Sequence, residues 1–499
     1  MPTYRRWCNV PLTFLDIIFE AVIPAKLVPA GFKRGAGIQY RQTGFRVKPG
    51  MTNTAKGRMG YYNNRREAGT RSLMVCCEED RRMTVLGMIM AGGRGERLHP
   101  LTKDRAKPAV PFGGKYRIID VVLSNFVNSG IYSIYVLTQF KAQSLVEHLQ
   151  EGWQVTSVSR NHFVVPVPAQ MRTGDDWYRG TADAVFQNLH LIKRVHPSVV
   201  AVFGADHIYK MNIRQMMGYH LRKEADVTVA ALPVGIEEAS HYGVMEADDN
   251  WRLLGFEEKP AQPKPIPGES EHALVSMGNY LFETDLLLRA VEEDARDPHS
   301  SHDFGRDVLP RLVTEGRKLY AYDFRRNRIP TLSRGEEPSY WRDVGTIEAY
   351  YEANMDLRAV HPTFNLYNRS WPIRTVSYSD PPAKFVFDED GRRGMALDSI
   401  VAEGTIISGS VVRNSVIGRN VRIHSHCQIE EAVIMNRVEI GRGCRIRRAI
   451  IDKNVFIQPG TEIGYNAEKD RERYHVSDSG IVVIAREEPD QTWSMTPPD

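Results

Sequence analysis

The chain has 499 residues, 42% hydrophobic and 25% charged, with a formal net charge of +4. That length allows two or three domains with sizeable cores, and the composition excludes a disordered, collagenous or membrane-embedded protein. Residues 1–72 carry 13 Lys/Arg against 3 Asp/Glu, a net of +10, so the remainder is mildly acidic and has no overall attraction for nucleic acid.

Residues 1–82 read as a basic N-terminal extension. Gly, Asn and Arg dominate it from Gly31 to Arg71, and Ser72 is its only serine, which argues against a transit peptide. A disordered arm, or translated upstream sequence with Met83 as the true start, is expected. The apolar run Pro11 to Ala30 is broken by Asp16, Glu20 and Lys26, so no membrane span is expected. Five cysteines (Cys8, Cys76, Cys77, Cys427, Cys444) form neither a disulfide framework nor paired Cys-x-x-Cys spacing, which points to reduced thiols in the cytoplasm.

Residues 83–368 alternate strand and helix. Strands are expected at Val85–Met90, Ser133–Thr138, Val199–Phe203, Val227–Pro233 and Val275–Phe282, with helices at Ile118–Ser129, Ala142–Gln150, Ala182–Val195 and Ile213–Lys223. The alternation predicts an α/β domain, a Rossmann-like, mostly parallel sheet with helices on both faces. Ligands in such folds sit beyond the carboxyl ends of the strands.

The first strand empties into Gly92-Gly93-Arg94-Gly95-Glu96-Arg97, with Arg105-Ala106-Lys107-Pro108 downstream. Bare amides and clustered cations after a parallel strand suit a polyphosphate, so this is read as a nucleotide triphosphate site. The dinucleotide fingerprint fails at Leu98, and a Walker loop fails at Gly114-Lys115-Tyr116.

Residues 369–394, with Pro372, Pro381 and Pro382, read as a linker. In 395–499, aliphatics recur every 17 residues in three columns: Ile400, Ile417, Ile434, Ile451; Ile406, Ile423, Ile440, Ile457; Val412, Ile429, Ile446, Ile463. This predicts a short left-handed parallel β-helix of hexapeptide type with a C-terminal tail, docked on the α/β domain or a neighbouring subunit.

Two carboxylates stand out. Asp206 follows the strand Val199–Phe203, which suits a metal ligand at a strand's carboxyl edge and equally a helix N-cap. Asp343, in Trp341-Arg342-Asp343-Val344-Gly345, suits a metal ligand or a turn cap. Glu257-Glu258-Lys259-Pro260 is an anion–cation pair in a proline-stiffened turn, or a solvated charged turn. Gln139, ending the second strand, can bond an adenine edge through its amide.

The glycine loop with Lys107-Pro108 resembles the sugar nucleotidyltransferases. Trp177-Tyr178-Arg179-Gly180-Thr181-Ala182-Asp183-Ala184, Ser301-His302-Asp303-Phe304-Gly305 and Tyr340 to Thr346 resemble, within them, the bacterial glucose-1-phosphate adenylyltransferases. The likeness spans Val85 to Arg486. It implies ATP and glucose 1-phosphate as substrates, ADP-glucose as product and Mg2+ as cofactor. It implies Asp206, Lys107 and Arg97 as catalytic residues and Asp206 with Asp343 as metal ligands. ATP would be met by Gly92, Gly93, Arg94, Gly95, Arg97, Lys107 and Gln139. Glucose 1-phosphate would be met by Tyr178, Gly243, Glu258, Lys259 and Ser276. A homotetramer regulated by phosphorylated metabolites is also implied, through Arg105, Arg117, Arg194, Lys453 and Arg486, together with a place in α-glucan (glycogen) synthesis. Asp104, Pro111 and Lys453 depart from the enteric-type pattern of lysine, histidine and arginine. A silent regulatory subunit and an acyltransferase β-helix, with only His424 and His426 on its grid, are the competing readings.

Overall fold

A computed structural model describes residues 84–93, 95–154, 162–170, 177–331 and 337–486. The basic extension, Met83 and Arg94 lie outside the described residues.

The α/β part is built on strands β1 (Val85–Met90), β2 (Ser133–Thr138), β3 (Phe163–Pro168), β4 (Val199–Gly204), β5 (His207–Tyr209), β6 (Val227–Gly235), β7 (Gly243–Ala247), β8 (Leu253–Glu258), β9 (His272–Glu283), β10 (Leu319–Asp323) and β11 (Trp341–Asp343). Its helices include α1 (Ile118–Asn128), α2 (Gln143–Gly152), α3 (Thr181–Phe186), α4 (Leu189–Val195), α5 (Ile213–Arg222), α6 (Thr284–Arg296) and α7 (Ile347–Asp356). One nine-stranded sheet runs β8-β7-β9-β4-β1-β2-β3, with β6 on β9 and β10 on β6. Strands β4, β1, β2 and β3 are parallel neighbours, whereas β9 runs antiparallel to β4, β6 and β7. Buried faces on both sides of the sheet explain why β1 and β2 read as continuous apolar runs.

One expected helix differs, and another settles the role of a neighbouring residue. Ala182–Val195 is two helices, because Asn188 donates its side-chain amide to the Ala184 carbonyl at 2.8 Å and interrupts the ladder. The helix expected at Ile213–Lys223 forms as Ile213–Arg222, capped by the Asn212 side chain on Arg214 N at 3.2 Å, so Asp206 is not its N-cap. Instead, β5 follows Asp206 directly and pairs with β11.

The three-sided parallel β-helix expected from the grid is present. On one side Val412 stacks on Ile429, Ile446 and Ile463; on another, Ile417 on Ile434 and Ile451; on the third, Ile423 on Ile440 and Ile457. In the first coil the grid is off by one. Val401 and Ile407, not Ile400 and Ile406, are the stacking partners, since the corner between Ile407 and Val412 is one residue shorter than between Ile423 and Ile429. Ile406 is accordingly exposed and Ile407 fully buried. The β-helix also begins inside the segment read as linker, where Lys384–Val386 pairs with Ile406–Ser408.

The β-helix docks on the α/β part through a shared core. Val433, Met435, Ile450 and Val483 pack with Leu98, Leu101, Ile347 and Tyr350. Tyr351 Oη donates to the Glu431 carbonyl at 2.8 Å, and Lys115 pairs with Glu403 at 2.5 Å.

Candidate active site

A cavity of about 800 Å³ opens beyond the carboxyl ends of β1, β2 and β4. After β1 the chain turns at Gly95, whose φ of 64° suits a residue without a β-carbon. Thr102 Oγ1 fixes the turn by donating to the Gly95 carbonyl at 2.9 Å. A short helix at Lys107–Ala109, with proline at its second position, then aims Lys107 into the cavity.

The antiparallel pairing of β5 with β11 sets Asp343 opposite His207, next to Asp206. Lys107 Nζ lies 3.1 Å from Asp206 Oδ2 and 2.8 Å from Asp343 Oδ1, with only 6% of its side chain exposed. Arg97 approaches the other oxygen of Asp343 at 3.5 Å. Burial alone would lower the Lys107 pKa, yet Asp206 and Asp343 outweigh it and raise the value. For Asp206, burial pushes upward but Lys107 and His207 hold the carboxyl well below the usual carboxylate range.

Ligand atoms of Asp206, His207 and Asp343 lie within 4.8 Å of one another. An ammonium group bridges the two carboxylates, and the buried Nδ1 of His207 has no hydrogen-bond partner among the described residues. A site that already holds a cation between hard oxygen donors fits a magnesium ion.

The other wall takes polar groups from several elements. Gln139, which lines the cavity, donates from Nε2 to the Tyr178 carbonyl at 3.3 Å, and Tyr178 Oη accepts from Asn188 at 2.9 Å. A register shift in β9 between Ser276 and Tyr280 turns Ser276 into the cavity. Gly243 and Glu258 meet at the paired ends of β7 and β8, and Lys259 Nζ lies 3.7 Å from Glu258 Oε1. Burial, then the charge of Asp303, raises the Glu258 pKa.

All thirteen described residues expected at the substrate and metal sites line this one cavity. Sequence reasoning gave no role to His207, Thr181, Asp303 or Trp341, which line it too. Asp303 accepts from Thr181 Oγ1 at 2.9 Å and from Gly305 N at 2.9 Å. Its presence in the quoted Ser301–Gly305 motif was the available signal, and the adjacency to Asp206 was the signal for His207.

The residues expected to regulate divide. Arg105 is buried, forms an ion pair with Asp452 of the β-helix, and keeps Nη1 unpartnered among the described residues. Arg117 donates to Ser144. Burial, then Arg105 and Arg117, pushes the Lys453 amine down to about 8, so these three cations share one junction between the domains. Arg194 instead faces Tyr135, and no described contact joins Arg194 or Arg486 to the other three. Asp104, beside Arg105, is exposed.

Two family models match the chain: "Nucleotidyl transferase" over residues 86–360 and "GlmU-like, C-terminal hexapeptide" over residues 381–484. A glucose-1-phosphate adenylyltransferase of Thermus thermophilus is 58% identical over 412 residues, covering 81% of this chain and 99% of the relative. One of Deinococcus radiodurans is 51% identical over 407 residues, with 81% and 98% covered. Glucose-1-phosphate adenylyltransferase 1 of Vibrio vulnificus is 51% identical over 403 residues, with the same shares covered.

Proposed function

This chain belongs to the glucose-1-phosphate adenylyltransferases of the nucleotidyl transferase family, and from that membership we propose the reaction its cavity performs. It transfers the adenylyl group of ATP to α-D-glucose 1-phosphate, giving ADP-glucose and diphosphate.

A phosphate oxygen of the sugar ester bonds to the α-phosphorus as the bond to the bridging oxygen of the β-phosphate breaks. No protein nucleophile is needed, so the barrier is one of charge repulsion and alignment. In this reading the amides of Gly92, Gly93 and Gly95, with Arg94, Arg97 and Lys107, hold the triphosphate, and Lys107 neutralises charge building on the departing diphosphate. Gln139 offers its amide oxygen to the adenine amino group. Tyr178, Gly243, Glu258, Lys259 and Ser276 receive glucose 1-phosphate, Lys259 facing the phosphate and Glu258 the hydroxyls. Asp206 and Asp343 are the residues that would hold Mg2+. When bound, that ion would offset the negative charge of the phosphates.

The observation that carries the assignment is the Lys107 ammonium between Asp206 and Asp343, beyond the parallel strands and beside the glycine turn. It supplies cationic charge for leaving phosphates and carboxylates for a metal in one place. The junction of Arg105, Arg117 and Lys453 is read as an anion site for phosphorylated effectors, with Arg194 and Arg486 as outlying members. A cytoplasmic homotetramer supplying ADP-glucose for glycogen synthesis completes the proposal. No helix of the described residues is long and apolar enough to cross a membrane.

Diphosphate release with glucose 1-phosphate and ATP, UTP or dTTP tests it. ATP is expected to be preferred by well over tenfold, and preference for another nucleotide overturns the adenylyl assignment.

A further inference from the structure

On α5, Arg214, Gly218 and Arg222 recur every four residues and so form one stripe. Gly218 leaves that stripe without a side chain at its middle, and a second cavity, of about 310 Å³, opens there. Trp251, from the turn before β8, and Arg326, following β10, close its far side. The volume falls at the small end of small-molecule sites.

The charge in this cavity is unbalanced. Arg326 Nε lies 3.5 Å from Asp323 Oδ2, but both oxygens of Asp323 already accept from Arg325, at 3.0 and 3.1 Å. Arg214 and Arg222 form no ion pair among the described residues. The tyrosine hydroxyls on the wall are engaged elsewhere: Tyr219 donates to the Ala321 carbonyl at 3.0 Å, and Tyr322 accepts from Asn327 at 3.0 Å. A ligand here therefore meets guanidinium donors and ring faces. Arg326 stands 5.4 Å from the centre of the Trp251 ring.

We propose that this cavity binds a small phosphate ester, with Arg214 and Arg222 taking the phosphate and Trp251 with Arg326 flanking the organic part. Planar guanidinium forks match phosphate oxygens in pairs. Arg214, whose guanidinium rests near Gly130, and Arg222, whose tip rests over Gly218, both line the cavity without an ion pair among the described residues and are free to turn to a phosphate. No β-helix residue contributes, so the site is separate from the junction of Arg105, Arg117 and Lys453. It also has a route to the chemistry. Only Lys210 to Asn212 separate α5 from β5, which starts directly after Asp206. Asn327, just past Arg326, is latched to Asn212 by two bonds, 2.9 Å to its N and 3.0 Å to its carbonyl. A ligand drawing Arg214 and Arg222 towards Arg326 pulls on the segment that carries Asp206. The inference goes beyond adenylyl transfer and stands without it, because its readout is binding.

The full chain, labelled with 5-fluorotryptophan, reports on the cavity through the fluorine resonance of Trp251, identified by its loss in Trp251→Phe. Inorganic phosphate, a nucleoside monophosphate and a sugar bisphosphate are titrated separately, and the tightest binder names the source of the phosphate. A saturable shift of the Trp251 resonance is expected. It should need at least about tenfold more ligand in Arg214→Ala/Arg222→Ala, the scale of losing charge-assisted bonds. Gly218→Leu should abolish it by filling the cavity while keeping every charge. The new side chain's first atom would approach only the flexible tip of Arg222, at 3.2 Å, and leucine favours the helix over glycine. Arg117→Ala should leave the shift intact. Absence of a shift with all three probes, or a shift surviving both the double substitution and Gly218→Leu, overturns the proposal.

Discussion

Lys107 and Asp343, 236 residues apart in the chain, meet at 2.8 Å with both side chains largely buried. Asp343 and Asp206 thereby raise the Lys107 pKa against burial, which alone would lower it. Lys107→Ala removes the ammonium charge and leaves Asp206 and Asp343 facing each other with only Arg97 beside Asp343 and His207 beside Asp206. Turnover is expected to fall roughly 10²-fold or more, the scale for one preorganised electrostatic group. Steady-state diphosphate release, with the melting temperature as a check on folding, measures it.

Glu258 makes the sugar subsite pH-dependent. Its pKa is raised, first by burial and then by Asp303, against the pull of Lys259 and Arg306. A raised carboxyl favours protonation, so its contribution to stability is full below the ordinary glutamate pKa and is lost as pH rises through the folded value. Substrate binding has the opposite sign, since the ionised form accepts hydroxyls. The KM for glucose 1-phosphate should rise as pH falls into the range where Glu258 protonates. Asp303→Asn should move that limb to lower pH in a kcat/KM profile; a limb that stays in place contradicts the assignment.

Lys453 carries the reverse linkage. Its folded value of about 8 lies below the ordinary 10.5, so the folded state disfavours the charge. Its cost is complete below pH 8 and is recovered as pH rises from about 8 towards 10.5. Lys453→Met is expected to raise the melting temperature at pH 7, with the advantage fading by pH 10. Melting curves across that range would show it.

Gly180 stands where two loops touch. A β-carbon there would lie 2.2 Å from the His302 carbonyl oxygen. Gly180→Ala should push the Ser301–Asp303 loop away and break the Asp303–Thr181 bond, costing about 1–3 kcal/mol, as overpacking does. Urea denaturation measures the loss, and a raised KM for glucose 1-phosphate should accompany it.

Much of this was legible because local rules and global fold agree. The apolar run of β1, the glycine turn and the 17-residue period each report a backbone state directly. What escaped depends on partners distant in sequence. The split at Asn188 comes from one side-chain bond within an otherwise helical pattern. The one-residue offset at Val401 and Ile407 comes from a shorter corner, which periodicity cannot see until strands are paired. For the site, Lys107, Asp206 and Asp343 were each visible in a motif, yet their meeting depends on the pairing of β5 with β11. Likewise, Arg105 reads as a free cation in the sequence, and only the docked β-helix brings Asp452 to it.

The central claim is that Asp206 and its partners at the cavity drive reversible displacement at the α-phosphorus. Incubation of the chain with ADP-glucose, Mg2+ and labelled diphosphate tests it most directly. The account predicts label appearing in ATP with the wild-type chain, and a rate lower by roughly 10²-fold or more in a folded Asp206→Asn variant. Absence of exchange in the wild type, or exchange at an undiminished rate in Asp206→Asn, would contradict it.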